Sequence, residues 1–310
     1  MVPNFLIIGA DRSGTSFLKL CCREHPEVYI GQVKGEMYYP GDPHFFDLCS
    51  GDRVCNYKRG FDWYHGLFDA VSEEVAVGEK TADYLADPEA PKLIHRYLGG
   101  SIRLIAILRN PIDRAYSRFW HQKVNWPVGV GFREACQRYR QQLIEPGFYY
   151  RNLQRYLRFF DRSQFLILLH DDLRSTPLQV VQEMYSFLGV NNSFVPDVVS
   201  EGKVNTAIGS GVPYYLKMGG AVVKRYSPGL FRFLKNSPGA NWVKDIIKTA
   251  RGLKAAKDEK KTTQKTGRTY PEMNPRDRRW LKSVYREDVK KLNRFLDRDV
   301  LSLWSWEDGM

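Results

Sequence analysis

The sequence predicts an α/β fold, a central parallel β-sheet flanked by helices. Three observations predict it. Five short apolar runs, "NFLIIG", "EVYI", "EVAVGEK", "SIRLIAIL" and "QFLILLH", read as buried strands. Helix-periodic stretches alternate with them, the pattern that puts helices on both faces of a parallel sheet. The first run also ends in a glycine-spaced loop, "GADRSGTS", that opens a helix, a P-loop-like arrangement.

The elements run in order along the chain. "NFLIIG" is wholly apolar and stops at Gly9, and "GTSFLKLCCREHP" carries helical periodicity to a proline stop. "EVYI" leads into a glycine-, proline- and aromatic-rich segment over residues 31–60, then a helix around "FDWYHGLFDAV". The strand "EVAVGEK" precedes a helix from Pro88 to Tyr97. Pro111 sits as the first residue of the helix after "SIRLIAILRN". Residues 149–160 read as helix, "QFLILLH" as strand, and "TPLQVVQEMYSFLGV" as a helix with a glycine stop. Residues 200–262 break the pattern: glycine-rich turns separate basic amphipathic pieces, which predicts an inserted helical cap within one domain spanning 1–310. A charged helix from Asn274 to Phe295 closes the chain, its apolar face drawn from Trp280, Leu281, Val284, Val289, Leu292 and Phe295.

The 310 residues carry a formal charge of +12, which points to anionic company: a nucleotide, an acidic polymer, nucleic acid or a membrane surface. No recognition helix or RNA-binding signature accompanies the charge, so nucleic acid is not expected. Five cysteines lack metal-site spacing and are read as free thiols, although Cys49 and Cys55 flank a loop and would pair in an oxidising compartment. No apolar run reaches the length of a membrane span. "MVPNFLIIGADR" lacks the basic and apolar regions of a signal peptide. With Met1 as the native start this places the protein in the cytoplasm; with a trimmed start it would be a lumenal catalytic domain.

Two stretches carry chemistry. Gly9, Gly14 and Ser16 fall on the spacing of a nucleotide-binding phosphate loop, yet Thr15 stands where the phosphate-gripping lysine belongs. Amides of residues 12–16, among them Ser13 and Gly14, can cradle anionic oxygens at a helix N-terminus, with Thr15 and Ser16 adding hydroxyls and Arg12 the cation. In "RLIAILRNPIDRAYSRFWH", Arg109 ends a buried strand, at the sheet edge where such folds bind ligands, and Ser117 follows on the next helix. Arg114 and Arg118, on that helix, read as solvated surface charges, and Trp63, Tyr64, Trp304 and Trp306 as packing residues.

Together, "GADRSGTSFL" and "LRNPIDRAYSRFWH" resemble the 5′-phosphosulfate loop and 3′-phosphate motif of sulfotransferases that use 3′-phosphoadenosine 5′-phosphosulfate (PAPS). The likeness is strongest to the heparan-sulfate-type branch. "KGEMYYPGDPHFFD", "RGFDWYHGLF", "VGEKTADYL", "QFLILLHDDLRSTP" and "KTGRTYPEMNP" support it in order, over most of residues 3–310 outside 200–262. The resemblance implies that Arg12 steadies the bridging oxygen of the transferred sulfate, and that Arg109 and Ser117 hold the 3′-phosphate. It implies that Lys80 lies near the sulfuryl group, and that Lys265, Gly267 and Arg268 form a basic loop over the nucleotide. It further implies a base beside an aromatic pair. Glu36, before "MYY", is the first candidate; His44, in "PHFFD", is the second, because the chain inserts Met37–Asp42 between them. Glu79 reads as a structural partner of nearby cations, and Tyr38 and Tyr39 as lining for an acceptor groove.

The sequence therefore predicts an enzyme that moves a sulfuryl group from PAPS to a hydroxyl or amine of a small-molecule or oligosaccharide acceptor. No metal is expected, since loop amides and arginine supply the charge. A P-loop kinase is the alternative; Thr15 and the want of a clear second acidic strand end, "LILLHDD" being the nearest, count against it.

Overall fold

The computed structural model describes residues 2–33, 41–48, 55–122, 126–127, 129–200 and 270–306. The chain divides into two units, Met1–Ile208 with Glu272–Met310, and Gly209–Pro271. Apart from Ser200, the cap expected over 200–262 lies outside the described residues. The sheet and the site belong to the first unit.

Five parallel strands form its centre: β1 (Phe5–Gly9), β2 (Val28–Gly31), β3 (Ala76–Lys80), β4 (Arg103–Leu108) and β5 (Phe165–Leu169). Their order is β2-β3-β1-β4-β5. Every residue of β1 and β3 is buried, as central strands in a sheet covered on both faces require. Register sets the functional geometry: Ile7 lies opposite Lys80 on one side of β1, and Gly9 opposite Ala106 on the other. Because the strands are parallel, the loop after Gly9, Lys80 and the Arg109 end of β4 emerge at the same edge.

Eight helices of six or more residues are present among the described residues: α1 (Thr15–Glu24), α2 (Ala90–Leu98), α3 (Pro111–His121), α4 (Phe132–Arg138), α5 (Tyr149–Tyr156), α6 (His170–Ser175), α7 (Pro177–Leu188) and α8 (Pro275–Leu296). On one face of the sheet, Phe17, Leu18, Cys21 and Cys22 of α1 and Val181, Met184 and Tyr185 of α7 pack with Phe5, Ile7 and Ile105. All strands expected from the sequence are present; the helix expected around "FDWYHGLFDAV" is reduced to Phe61–His65, that expected over 149–160 ends at Tyr156, and α4 and α6 were not foreseen.

Local chemistry fixes the helix ends. Asn110 accepts from the Ile112 amide (3.1 Å) while Pro111, which lacks an N–H, occupies the first turn of α3. Asp288 of α8 accepts from the Tyr150 and Arg151 amides (both 3.0 Å), so one buried carboxylate satisfies the α5 N-terminus. Tyr285 donates a hydrogen bond to the Ile144 carbonyl (2.9 Å), and with Leu281, Val289 and Leu292 forms the buried face of α8. Trp304 and Trp306 are buried, as expected. Cys21, Cys22, Cys55 and Cys136 are free thiols, whereas Cys49 lies outside the described residues. No helix among the described residues is long and apolar enough to cross a membrane.

Candidate active site

The β1–α1 loop bends back sharply. Arg12 and Gly14 both take positive φ (63° and 109°), and a Cβ on Gly14 would sit 2.7 Å from Leu173 Cδ2, so only glycine fits there. No side chain caps the first-turn amides of α1, and no acidic residue stands in that turn to repel an anion. Thr15 is buried and Ser16 exposed at the helix start, while Ser13 lies fully buried beneath the loop.

This loop forms one wall of a cleft of about 170 Å³ lined by Arg12, Gly14, Thr15, Ser16, Asp11 and Asp83, with Arg118 and His121 behind. Asp42, His44 and Lys80 line the same cleft. The structure thus brings together six of the residues singled out in the sequence: Arg12, Gly14, Thr15, Ser16, His44 and Lys80. Ser117 and Arg109 join through Arg12: its Nε donates to Ser117 Oγ (3.3 Å), and Arg109 Nη1 donates to its carbonyl (3.0 Å). Glu36, Lys265, Gly267, Arg268, Tyr38 and Tyr39 lie outside the described residues.

One sequence expectation is corrected. Arg114 and Arg118 are not solvated surface charges but fully buried side chains. They sit one turn apart on the face of α3 that turns inward; Arg118 pairs with Asp11 (3.0 Å), and Arg114 Nη2 donates to the Leu143 carbonyl. Burial pushes the Asp11 carboxyl up, but the guanidinium charges of Arg118, Arg12 and Arg114 together outweigh it and hold the group below its ordinary value. Glu79 makes no ion pair among the described residues, although its charge favours the protonated Lys19. It is fully buried, taking hydrogen bonds from Thr81 Oγ1 (3.0 Å) and Tyr64 Oη (3.5 Å). Burial pushes its carboxyl up to about 8, against the pull of the Tyr84 and Thr81 hydroxyls.

His44 is anchored from two sides. Its amide donates to Thr81 Oγ1 (3.2 Å), and Nδ1 meets Asp47 Oδ2 at 2.7 Å. Burial works against its charged form, yet the hydrogen bond and charge of Asp47 prevail and raise its pKa above the ordinary value. Among the described residues, His44, Asp47 and Asp83 could gather a cation, but Nδ1 is engaged by Asp47, and a hydrogen-bonded cluster accounts for the group.

Two cleft residues, Asp42 and His121, and the buried Lys19 beside Asp42 were not apparent from the sequence. Asp42 lies between two lysines, Oδ2 at 2.5 Å from Lys80 Nζ and Oδ1 at 3.4 Å from Lys19 Nζ. Its signal is the carboxylate of "GDPHFFD", two residues before His44 and shorter than the glutamate that the resemblance implies. Lys19 is buried on α1. His121 ends α3; burial, aided by the Arg12 charge, pushes its imidazole down to about 4, and its Nδ1 has no hydrogen-bond partner among the described residues. It offers a neutral ring to the cleft.

A glycine-bent loop at a helix N-terminus, an arginine inside it and a lysine on the neighbouring strand end define an α/β enzyme built to hold phosphate-like oxyanions. Residues 2–208 match the family model described as "Sulfotransferase domain", and the chain belongs to that family. It is 26% identical to a sulfotransferase from Alicyclobacillus acidocaldarius of known crystal structure, with a TM-score of 0.65 over 98% of this chain and 99% of that one. It is 27% identical over 98% of its length to the mouse bifunctional heparan sulfate N-deacetylase/N-sulfotransferase 4, and covers 31% of that protein. With mouse heparan sulfate glucosamine 3-O-sulfotransferase 6 it shares 32% identity over 61% of its length, 52% of that protein. The chain therefore spans about a third to a half of these curated relatives.

Proposed function

We propose that the protein transfers a sulfuryl group from PAPS to a hydroxyl or amine of a glycan, working as a single sulfotransferase domain over 1–310. The observation that carries this is the cleft, which the glycine-bent loop, Arg12, Lys80 and Asp42 line together. The residues present suit the co-substrate: uncapped amides at the start of α1, two hydroxyls, and a neutral His121 whose Nδ1 can meet an oxygen. PAPS would supply the activated sulfuryl group. Amides of the loop, with Thr15 and Ser16, would hold its 5′ oxygens, and Arg109 and Ser117 its 3′-phosphate.

The chain's own work is charge placement. Arg12 stabilises negative charge growing on the leaving bridging oxygen, and Lys80 screens the sulfuryl oxygens. Asp42 takes the acceptor proton as the new bond to sulfur forms and the bond to the bridging oxygen breaks. This places on Asp42 the role that the sequence offered to Glu36 or His44. His44 is less suited, because Asp47 favours its protonated form. The glycan acceptor rests on the +12 charge and on the names of the heparan sulfate relatives.

Labelled PAPS with a desulfated heparan sulfate oligosaccharide tests the reading. Asp42→Asn is expected to reduce turnover about 10²- to 10⁴-fold with affinity for 3′,5′-adenosine bisphosphate (PAP) kept. Wild-type turnover in that variant would remove Asp42 as the base.

A further inference from the structure

Lys19 has no role in either chemical motif of the sequence. It stands in "SFLKLCC", on the second turn of the helix that starts in the phosphate loop, where Phe17, Leu18, Cys21 and Cys22 are buried. Lys19 is itself only 8% exposed. Burying an ammonium costs several kcal/mol unless it is paired and hydrogen-bonded. Its burial opposes its charge; the neighbouring Asp42 restores it in part, while Lys80 works against it.

The local geometry shows what the lysine is fitted to. Nζ donates to the Gly41 carbonyl at 2.6 Å and meets Asp42 Oδ1 at 3.4 Å. Lys80 takes the other carboxylate oxygen, Oδ2, at 2.5 Å. Gly41 has φ of 101°, and a Cβ there would come within 2.5 Å of Lys19 Nζ. Backbone and side chain are thus shaped to each other, and two cations divide one carboxylate between its two oxygens.

That division bears on the reaction. Among the described residues Asp42 is the hydrogen-bond partner of Lys80. A lysine that turns toward sulfuryl oxygens loosens its hold on Asp42, and a carboxylate held by one cation alone would then swing with it. We propose that Lys19 is a positioning residue that keeps the Asp42 carboxylate in place at the acceptor side while Lys80 serves the sulfuryl group. Through the Gly41 carbonyl it also ties the 41–48 segment to the helix whose N-terminus grips the co-substrate. The inference rests on the reading of Asp42 as base.

Lys19→Met, Lys19→Arg, Asp42→Asn and the Lys19→Met/Asp42→Asn pair test it, with labelled PAPS and the desulfated heparan sulfate oligosaccharide as probe acceptor. Lys19→Met is expected to lower kcat about 10- to 100-fold, the usual cost of a misplaced reacting group, with KM for PAPS and Kd for PAP unchanged. Lys19→Arg, which keeps charge and reach, restores most of kcat. The double variant turns over no more slowly than Asp42→Asn alone, since both act through one carboxylate. Hydrogen exchange gives a readout without turnover: amides of 41–48 exchange about tenfold faster in Lys19→Met, while α1 keeps its protection.

The proposal is overturned if Lys19→Met turns over within twofold of wild type, if its effect multiplies with that of Asp42→Asn, or if Lys19→Arg fails to rescue. Should Lys19→Met not fold, Lys19→Gln, which removes the charge that holds Asp42, is held to the same turnover outcomes. Wild-type turnover in Asp42→Asn would instead fail the base assignment. The exchange experiment then still decides whether Lys19 tethers the segment, and unchanged exchange there removes the tether as well.

Discussion

Glu79 makes the strongest claim on stability. Its carboxyl, buried completely under Thr81 and Tyr64, holds its proton to about pH 8 instead of the ordinary 4.5. In the unfolded chain the group ionises near 4.5, so between those values unfolding releases a proton and rising pH favours the unfolded state. Each pH unit in that window removes about 1.4 kcal/mol, which comes to about 3 kcal/mol at pH 7 relative to acid conditions. Against a total of about 5–15 kcal/mol that is a large handicap. Glu79→Gln keeps an acceptor for Thr81 and never ionises, so the handicap vanishes. Urea unfolding of both proteins at pH 5, 6 and 7 measures it, because all other titrating groups cancel in the difference. The stability of Glu79→Gln relative to wild type should rise by about 1.4 kcal/mol per unit, with m unchanged. A gap that stays constant from pH 5 to 7 would mean that Glu79 is ionised in the fold, and the account of its burial would be wrong.

Two further outcomes are expected. Arg109→Ala should weaken PAP binding about 10- to 100-fold by calorimetry, the worth of a charge-assisted hydrogen bond, and an unchanged Kd would remove Arg109 from the 3′-phosphate site. Arg118→Met should destabilise the protein by about 3–5 kcal/mol, because it removes one partner of a largely buried ion pair; adding Asp11→Asn should recover much of the loss, and a simple sum of the two effects would contradict the pairing.

The sheet and the phosphate loop were legible in the sequence because their signals are local. An apolar run, a glycine spacing and a proline at a helix start each specify their own conformation. Lys80 and Arg109 could be placed at strand ends for the same reason. Arg114 and Arg118 were misread because their interior partners, Asp11 and the Leu143 carbonyl, lie far away in sequence. Sequence spacing showed that the two arginines share a helix face but not which way the face turns. The hydrogen bonds that Glu79 takes from Thr81 and Tyr64 were equally out of reach, because burial of a strand residue depends on what covers the sheet. Lys19 left one trace, a charge within the otherwise apolar stretch "FLKLCC", and only the fold shows that Asp42 answers it.

The central claim is that the loop without the phosphate-gripping lysine serves PAPS. Calorimetric titration with PAP in the presence of a magnesium chelator, beside titration with ATP and Mg²⁺, tests it most directly. Tight PAP binding without Mg²⁺, with ATP–Mg²⁺ far weaker, is the predicted result. ATP–Mg²⁺ binding more tightly than PAP would contradict the account and return the loop to the kinases.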